Sequence, residues 1–264
     1  MIIPSERSVP PVPWALLLGL LVLLAAFGSL GEEVWVHGGF LWEKALLLGL
    51  HAHASPALDG LMSGVTFVGG PKVMLPLALL GLAIVWKSRP QPWILSTTSE
   101  VSPRVLRRAS LPSPLVWRVA LIVGGAAAIN FLTKLIFHRV RPHLWPSLTP
   151  EADYSFPSGH AMGAAAVATA VGLLLWQHRG YWLAWALGLL FVLGVGWSRV
   201  YLGVHYPSDV LAGWMGSVGW VAALHMLFSP AFHELRRLWR EALHRQMPNV
   251  VSPPDETKGV VPAA

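Results

Sequence analysis

The sequence predicts an all-α polytopic membrane bundle with six transmembrane helices, and three observations carry that expectation. Hydrophobic residues make up 54% of the 264 residues and charged residues only 12%, about half the roughly 25% usual in soluble domains. The apolar residues gather into windows near the length a bilayer core requires, about 20 residues or ~17 at the short end. The basic residues lie scattered at the ends of those windows, not in one stripe, which argues against nucleic acid as a partner and suits a topology signal.

The elements follow in chain order. Trp14 to Leu30 lacks a strongly basic start and exceeds the roughly 7–15-residue core of a secretory signal, so it reads as a retained helix. Glu32 to Gly70 is too polar to face lipid throughout. Its stretch "FLWEKALLLGLHAH", interrupted by Trp42, Glu43 and Lys44, suits a helix lying in the outer interface. Val73 to Trp86 is the second window and the shortest. Ser88 to Pro114, rich in Ser, Pro, Thr and Arg, reads as a cytoplasmic loop. The remaining windows are Leu115 to Ile136, Ala161 to Gln177, Tyr181 to Trp197 and Val210 to Phe228. Residues 1–228 thus form one membrane domain, and residues 229–264 a basic cytoplasmic helix, "HELRRLWREALHRQ", with a frayed tail. With an inner N-terminus, only Lys44, Lys72, Lys134, Arg139, Arg141 and Arg199 of the 19 Lys and Arg fall outside, so both termini are expected in the cytoplasm. The absence of cysteine excludes disulfides and thiolate metal sites.

Three short stretches carry the chemistry. In "KLIFHRVRP", a helix stopped by Pro142 would set Lys134 and Arg141 on nearly one face, roughly 10 Å apart along the axis. Lys134, Arg139 and Arg141 also read as snorkelling or anchoring residues, but they sit on the face that the charge rule disfavours. In "SFPSGHAMG", Ser158 is a favoured N-cap, and a helix starting near Gly159 presents free amides and a positive dipole end to an anion. In "SRVYLGVHYPSD", Asp209 stands four residues after His205, where it can take the Nδ1 proton, fix the tautomer and leave Nε2 exposed; it can equally cap a helix that has Pro207 in its first turn. Six alternating helices put the two loops that hold these stretches on one side.

Lys134, Arg141, Ser158, His160, Arg199, His205 and Asp209 then share the outer surface. Fixed cations of this kind hold phosphate, Arg by bidentate bonds and Lys as a point charge. Asp209 is the only acid within the three stretches, too few for magnesium, and a zinc ion on His160 and His205 would lack a third ligand and face the cations. The inventory points to phosphoryl transfer through histidine, with no metal and no cofactor. His51, His53, His138 and His143 read as structural or interfacial, and His225 falls near the cytoplasmic end of the last window.

The order Lys134-x6-Arg141-Pro142, Pro157-Ser158-Gly159-His160 and Ser198-Arg199-x5-His205-x3-Asp209 resembles the type 2 phosphatidic acid phosphatase superfamily, over about Leu58 to Phe228. The resemblance implies that His205 attacks phosphorus, that Asp209 orients it and that His160 protonates the leaving oxygen. It also implies that Lys134, Arg141 and Arg199, with Ser158 and the amide of Gly159, hold the phosphate oxygens. It further implies a lipid phosphate substrate at the outer face of a bacterial cytoplasmic membrane: undecaprenyl diphosphate first, then phosphatidic acid or phosphatidylglycerophosphate. A lipid phosphotransferase acting on lipid A or another acceptor, and a phosphate-binding transporter, are the rival expectations.

Overall fold

A computed structural model of the protein describes residues 14–87, 114–175 and 181–229. The helices are α1 (Trp14–His37), α2 (Leu41–His51), α3 (Pro56–Val68), α4 (Pro71–Lys87), α5 (Pro114–Phe137), α6 (Gly159–Leu174), α7 (Tyr181–Tyr201) and α8 (Pro207–Leu227), and no strand occurs among the described residues. Residues 88–113 and 230–264, which carry most of the expected cytoplasmic loop and the basic tail helix, lie outside the described residues.

Among the described residues, five segments are long and apolar enough to cross a membrane: Trp14–His37, Pro56–Ala83, Val116–Phe137, Tyr181–Tyr201 and Pro207–Leu227. The second corrects the expected window in one respect, because α3, inside the stretch set aside as too polar, joins α4 in one apolar run. The sixth expected span is α6. Its 16 residues cover about 24 Å, short of the ~30 Å hydrocarbon core.

What α6 lacks in length it makes up in position. It packs on α5, α7 and α8, and its sequence explains why: Ala161, Ala164 and Ala166 are fully buried, and small side chains let helix backbones approach without a gap. Gly213 of α8 is part of the same fit, since a Cβ there would lie 2.7 Å from the Ser158 carbonyl oxygen and 3.2 Å from the Met162 amide nitrogen. Val119, Ile122 and Ala126 of α5 close the apolar core against Met162, Ala166 and Ala170 of α6 and Leu224 of α8. The outward faces carry exposed leucines such as Leu18, Leu21, Leu187 and Leu190, as a lipid-facing surface requires.

The helix caps direct the chain toward one end of the bundle. Ser158 caps α6 by accepting from the Ala161 amide at 3.5 Å, and Pro207 opens α8, where a missing N–H costs nothing. The end of α5 departs from expectation. The helix stops at Phe137, not at Pro142, because His138 takes a left-handed φ of 47°. Arg139 and Arg141 therefore lie beyond the helix, both with buried side chains, and Arg141 does not share a helical face with Lys134.

Candidate active site

The ends of α1, α5 and α7 and the starts of α2, α6 and α8 meet around the segment from His138 to Ser158. Lys134 comes from the last turn of α5, Ser158 to His160 from the start of α6, Arg199 from the last turn of α7, His205 from the connector, and Asp209 from the first turn of α8. The topology expected from spacing alone thus holds for these residues: the two loops face each other.

His205 lies at the centre and is fully buried. Its Nε2 is 2.9 Å from Arg141 Nη1. A guanidinium only donates, so Nε2 is the unprotonated nitrogen and Nδ1 carries the hydrogen. Nδ1 faces Ser155 Oγ at 3.3 Å and Asp209 Oδ2 at 3.4 Å. Ser155 Oγ in turn donates to Asp209 Oδ2, so the serine hydroxyl stands between imidazole and carboxylate. Burial, with Arg141 and Arg199 nearby, pushes the His205 imidazole well below its usual 6.5 and keeps the ring neutral at neutral pH.

Asp209 both caps and orients. Its Oδ2 accepts the Tyr206 amide at 2.8 Å, while Oδ1 accepts Arg139 Nη1 at 2.5 Å. Arg139 is the hub behind it. Nη2 meets Glu43 Oε2 at 2.6 Å, Nη1 also reaches Ser208 Oγ at 2.8 Å, Nε bonds the Gly38 carbonyl at 3.1 Å, and the guanidinium lies 4.1 Å over the Tyr206 ring. Glu43 completes the lattice by accepting the Ser208 amide at 2.9 Å and its hydroxyl at 2.6 Å. The helix expected to lie in the interface is present as α2, but its glutamate points into protein and is 1% exposed.

The phosphate-binding candidates form a second layer. Arg141 Nη2 pairs with Glu151 Oε2 at 2.6 Å and with Asp153, and its Nε and Nη1 bond the Asp153 and Val204 carbonyls, each at 2.8 Å. Lys134 pairs with Asp153. Arg199 Nη1 donates to Thr66 Oγ1 at 2.6 Å and Nη2 pairs with Glu151, whereas its buried Nε finds no partner among the described residues. His160 Nδ1 lies 3.6 Å from Glu151 Oε1. Ser158 touches the network through its amide, which donates to the Asp209 carbonyl at 2.9 Å, and Gly159 sits against Asn130, where a Cβ would be 3.1 Å from Oδ1.

The two acids of the loop hold their charge against burial. Burial alone would raise the Glu151 carboxyl, but the guanidiniums of Arg199 and Arg141 outweigh it and lower it. Burial acts the same way on Asp153, where hydrogen bonds and charge from Lys134 and Arg141 prevail and bring it from 3.8 to about 2. Asp209 is the only acid within the three stretches, but the fold adds Glu151 and Asp153 from the loop and Glu43 from α2, each engaged by a cation.

The matching family model is that of the PAP2 superfamily, over residues 115–232. A relative from Sulfolobus acidocaldarius, named undecaprenyl-diphosphatase, is 31% identical over 213 residues, which is 80% of this chain and 88% of that one. The chain belongs to the PAP2 superfamily. It is a membrane phosphatase of that superfamily, and the PAP2 fold agrees. A crystal structure of a transmembrane PAP2 type phosphatidylglycerolphosphate phosphatase from Bacillus subtilis superposes with a TM-score of 0.56 at 26% identity, covering 87% of this chain and 96% of the other. Phosphatidylglycerophosphatase B of Bacillus subtilis is 29% identical over 164 residues, 60% of this chain and 69% of its own length.

The three stretches hold the expected catalytic and phosphate-binding residues, whereas Thr66, Glu151, Asp153, Ser155 and Ser208 carry no expectation from the sequence, Glu43 is expected only as a break in an apolar helix and Arg139 only as an anchor. One signal was available for some of them. Glu43 interrupts an apolar helix, and Glu151 and Asp153 precede "SFPSGH" by a few residues, in a loop that already held two arginines.

Proposed function

We propose that this PAP2 phosphatase hydrolyses the phosphomonoester or diphosphate of a membrane lipid through a phosphohistidine on His205, without a metal. The observation that supports it most is the state of His205: buried, neutral, Nδ1 turned to Ser155 and Asp209, and Nε2 carrying a lone pair beside three cations. The lone pair of Nε2 attacks phosphorus as the bond to the leaving oxygen breaks, and that oxygen takes a proton from the His160 imidazolium. The Nδ1 hydrogen stays directed at Ser155 and Asp209, which stabilise the positive ring of the phosphohistidine. Water then attacks phosphorus, His160 accepts its proton, the P–N bond breaks and inorganic phosphate departs. Lys134, Arg141 and Arg199, whose Nε has no partner among the described residues, would hold the phosphate oxygens as charge accumulates, with Ser158 and the Gly159 amide closing the pocket.

Undecaprenyl diphosphate leads as substrate, supported by the similarity to the Sulfolobus undecaprenyl-diphosphatase, ahead of phosphatidic acid and phosphatidylglycerophosphate. The charge distribution supports a cytoplasmic-membrane protein with cytoplasmic termini and an outward site at headgroup level, where a substrate keeps its tail in the bilayer.

The test is phosphate release by detergent-purified protein with chelator present, from these three lipids and a soluble phosphate ester, beside His205→Ala. Release from one lipid, reduced at least ~10⁴-fold in the variant, is the expected result. Release that survives in His205→Ala overturns the mechanism, strong inhibition by chelator revives a metal, and activity that appears only with a lipid acceptor moves the assignment to phosphotransfer.

A further inference from the structure

The loop that supplies Arg141 also supplies the anions that neutralise the pocket. Glu151 lies ten residues after Arg141 and Asp153 twelve, and between them they pair with Lys134, Arg141 and Arg199. Their burial differs. The Asp153 side chain is 56% exposed at the rim, whereas that of Glu151 is 23% exposed and sits deeper, with one oxygen on each arginine. A carboxylate spread across two guanidiniums uses the donors that a phosphate needs. Three cations against two carboxylates leave a single positive charge, so a phosphate dianion would make the pocket net negative and is disfavoured while both acids keep their places. Glu151 has a partner to move to, since His160 Nδ1 is 3.6 Å from the oxygen that it gives to Arg199.

Resting on the hydrolytic reading above, we propose that Glu151 is a displaceable internal anion: it gives way when a phosphate group takes the donors of Arg141 and Arg199, and turns to His160 as the counter-ion of its imidazolium. Glu151 is then a positioning residue. It weakens phosphate binding and strengthens the acid, so it also favours release of inorganic phosphate after turnover. The charges facing His160 are Glu151 and Arg141 of the loop, Arg199 of α7 and Lys134 of α5; burial first, then Arg199, brings the resting imidazole from 6.5 to about 4, so the ring serves as the acid only once Glu151 has turned to it. Glu151 is the one anion in that set, and its removal leaves only groups that oppose a protonated ring.

The experiment uses the detergent-purified full chain, with Glu151→Gln, Glu151→Ala and the charge-preserving Glu151→Asp. Affinity for inorganic phosphate is read from the rise of Tm with phosphate concentration and from competitive inhibition of lipid hydrolysis. The Gln and Ala variants should bind phosphate about tenfold tighter while kcat falls about tenfold, the scale of one lost charge contact. The alkaline limb of their kcat profile should move to lower pH, and Glu151→Asp should stay within about threefold of the wild type. A residue that merely braces the loop would weaken phosphate binding when replaced. Unchanged or weaker phosphate affinity in both neutral variants overturns the proposal, as does tighter binding with an unshifted pH profile. If the wild type releases no phosphate from any lipid, the hydrolytic reading fails instead, and the Tm response to phosphate still decides whether Glu151 competes for the arginines.

Discussion

Arg139→Met tests the lattice behind the nucleophile. The arginine faces Glu43 and Asp209 at 2.6 and 2.5 Å, and their side chains are 1% and 0% exposed, so neither carboxylate has water to turn to. Removing one partner of a buried ion pair costs about 3–5 kcal/mol, a large part of a total stability of about 5–15 kcal/mol. For a chain of this size that corresponds to a Tm lowered by roughly 6–20 °C, at ~2–4 °C per kcal/mol. The effect on catalysis is separate. Asp209 would either protonate or rotate, lose its hold on Ser155 and His205 Nδ1, and lower kcat by about 100-fold, as misplacement of a reacting group by ~1 Å does. Adding Glu43→Gln separates the two effects, since it neutralises one of the two stranded carboxylates and leaves the other beside His205. The double variant should regain about half of the lost Tm without regaining kcat. Thermal unfolding and lipid hydrolysis measured on the same detergent preparations decide it. If Arg139→Met keeps both Tm and kcat, the lattice is not what holds Asp209, and if Glu43→Gln restores kcat, Arg139 acts on α2 alone.

Two further outcomes follow from the same geometry. Arg199→Lys should lower kcat/KM by about 100-fold, because a single ammonium cannot serve Thr66 and Glu151 from two sides as the guanidinium fork does; steady-state kinetics at the wild-type level would remove Arg199 from the pocket. The pH dependence of stability has a definite sign. His205 is held neutral in the fold and has a usual value of 6.5, so below pH 6.5 the unfolded chain binds a proton that the folded one does not, and stability falls with pH. Asp153, lowered from 3.8 to about 2, adds a second loss only once the pH drops below about 4. Between pH 7 and 5 the Tm should therefore decline, and because His160, brought from 6.5 to about 4, adds a loss of the same sign, His205→Asn should lessen that decline without abolishing it. An equal slope in the variant would place the titrating group elsewhere.

The parts of the site legible in the sequence are those tied to helix ends. Ser158, His160, Arg199, His205 and Asp209 each lie within a few residues of a helix boundary that caps, prolines and apolar windows mark, and alternation of spans then puts those boundaries on one side. The span count was less legible. Hydropathy alone does not distinguish a lipid-facing window from α6, whose alanines are apolar because helices press against them, or from α3, whose polar residues Asp59 and Thr66 bond to Tyr201 and Arg199 inside the protein. What could not be read was pairing. Arg139 and Glu43 are 96 residues apart and Arg139 and Asp209 are 70 apart, and no local pattern says which buried charge meets which. The physical constraint that remains is neutrality. A carboxylate set in an apolar helix has to find a cation in the folded protein. The arginines standing on the side that the charge rule disfavours are where its partner is to be sought, and Glu43 with Arg139, like Glu151 with Arg141 and Arg199, answers to that argument.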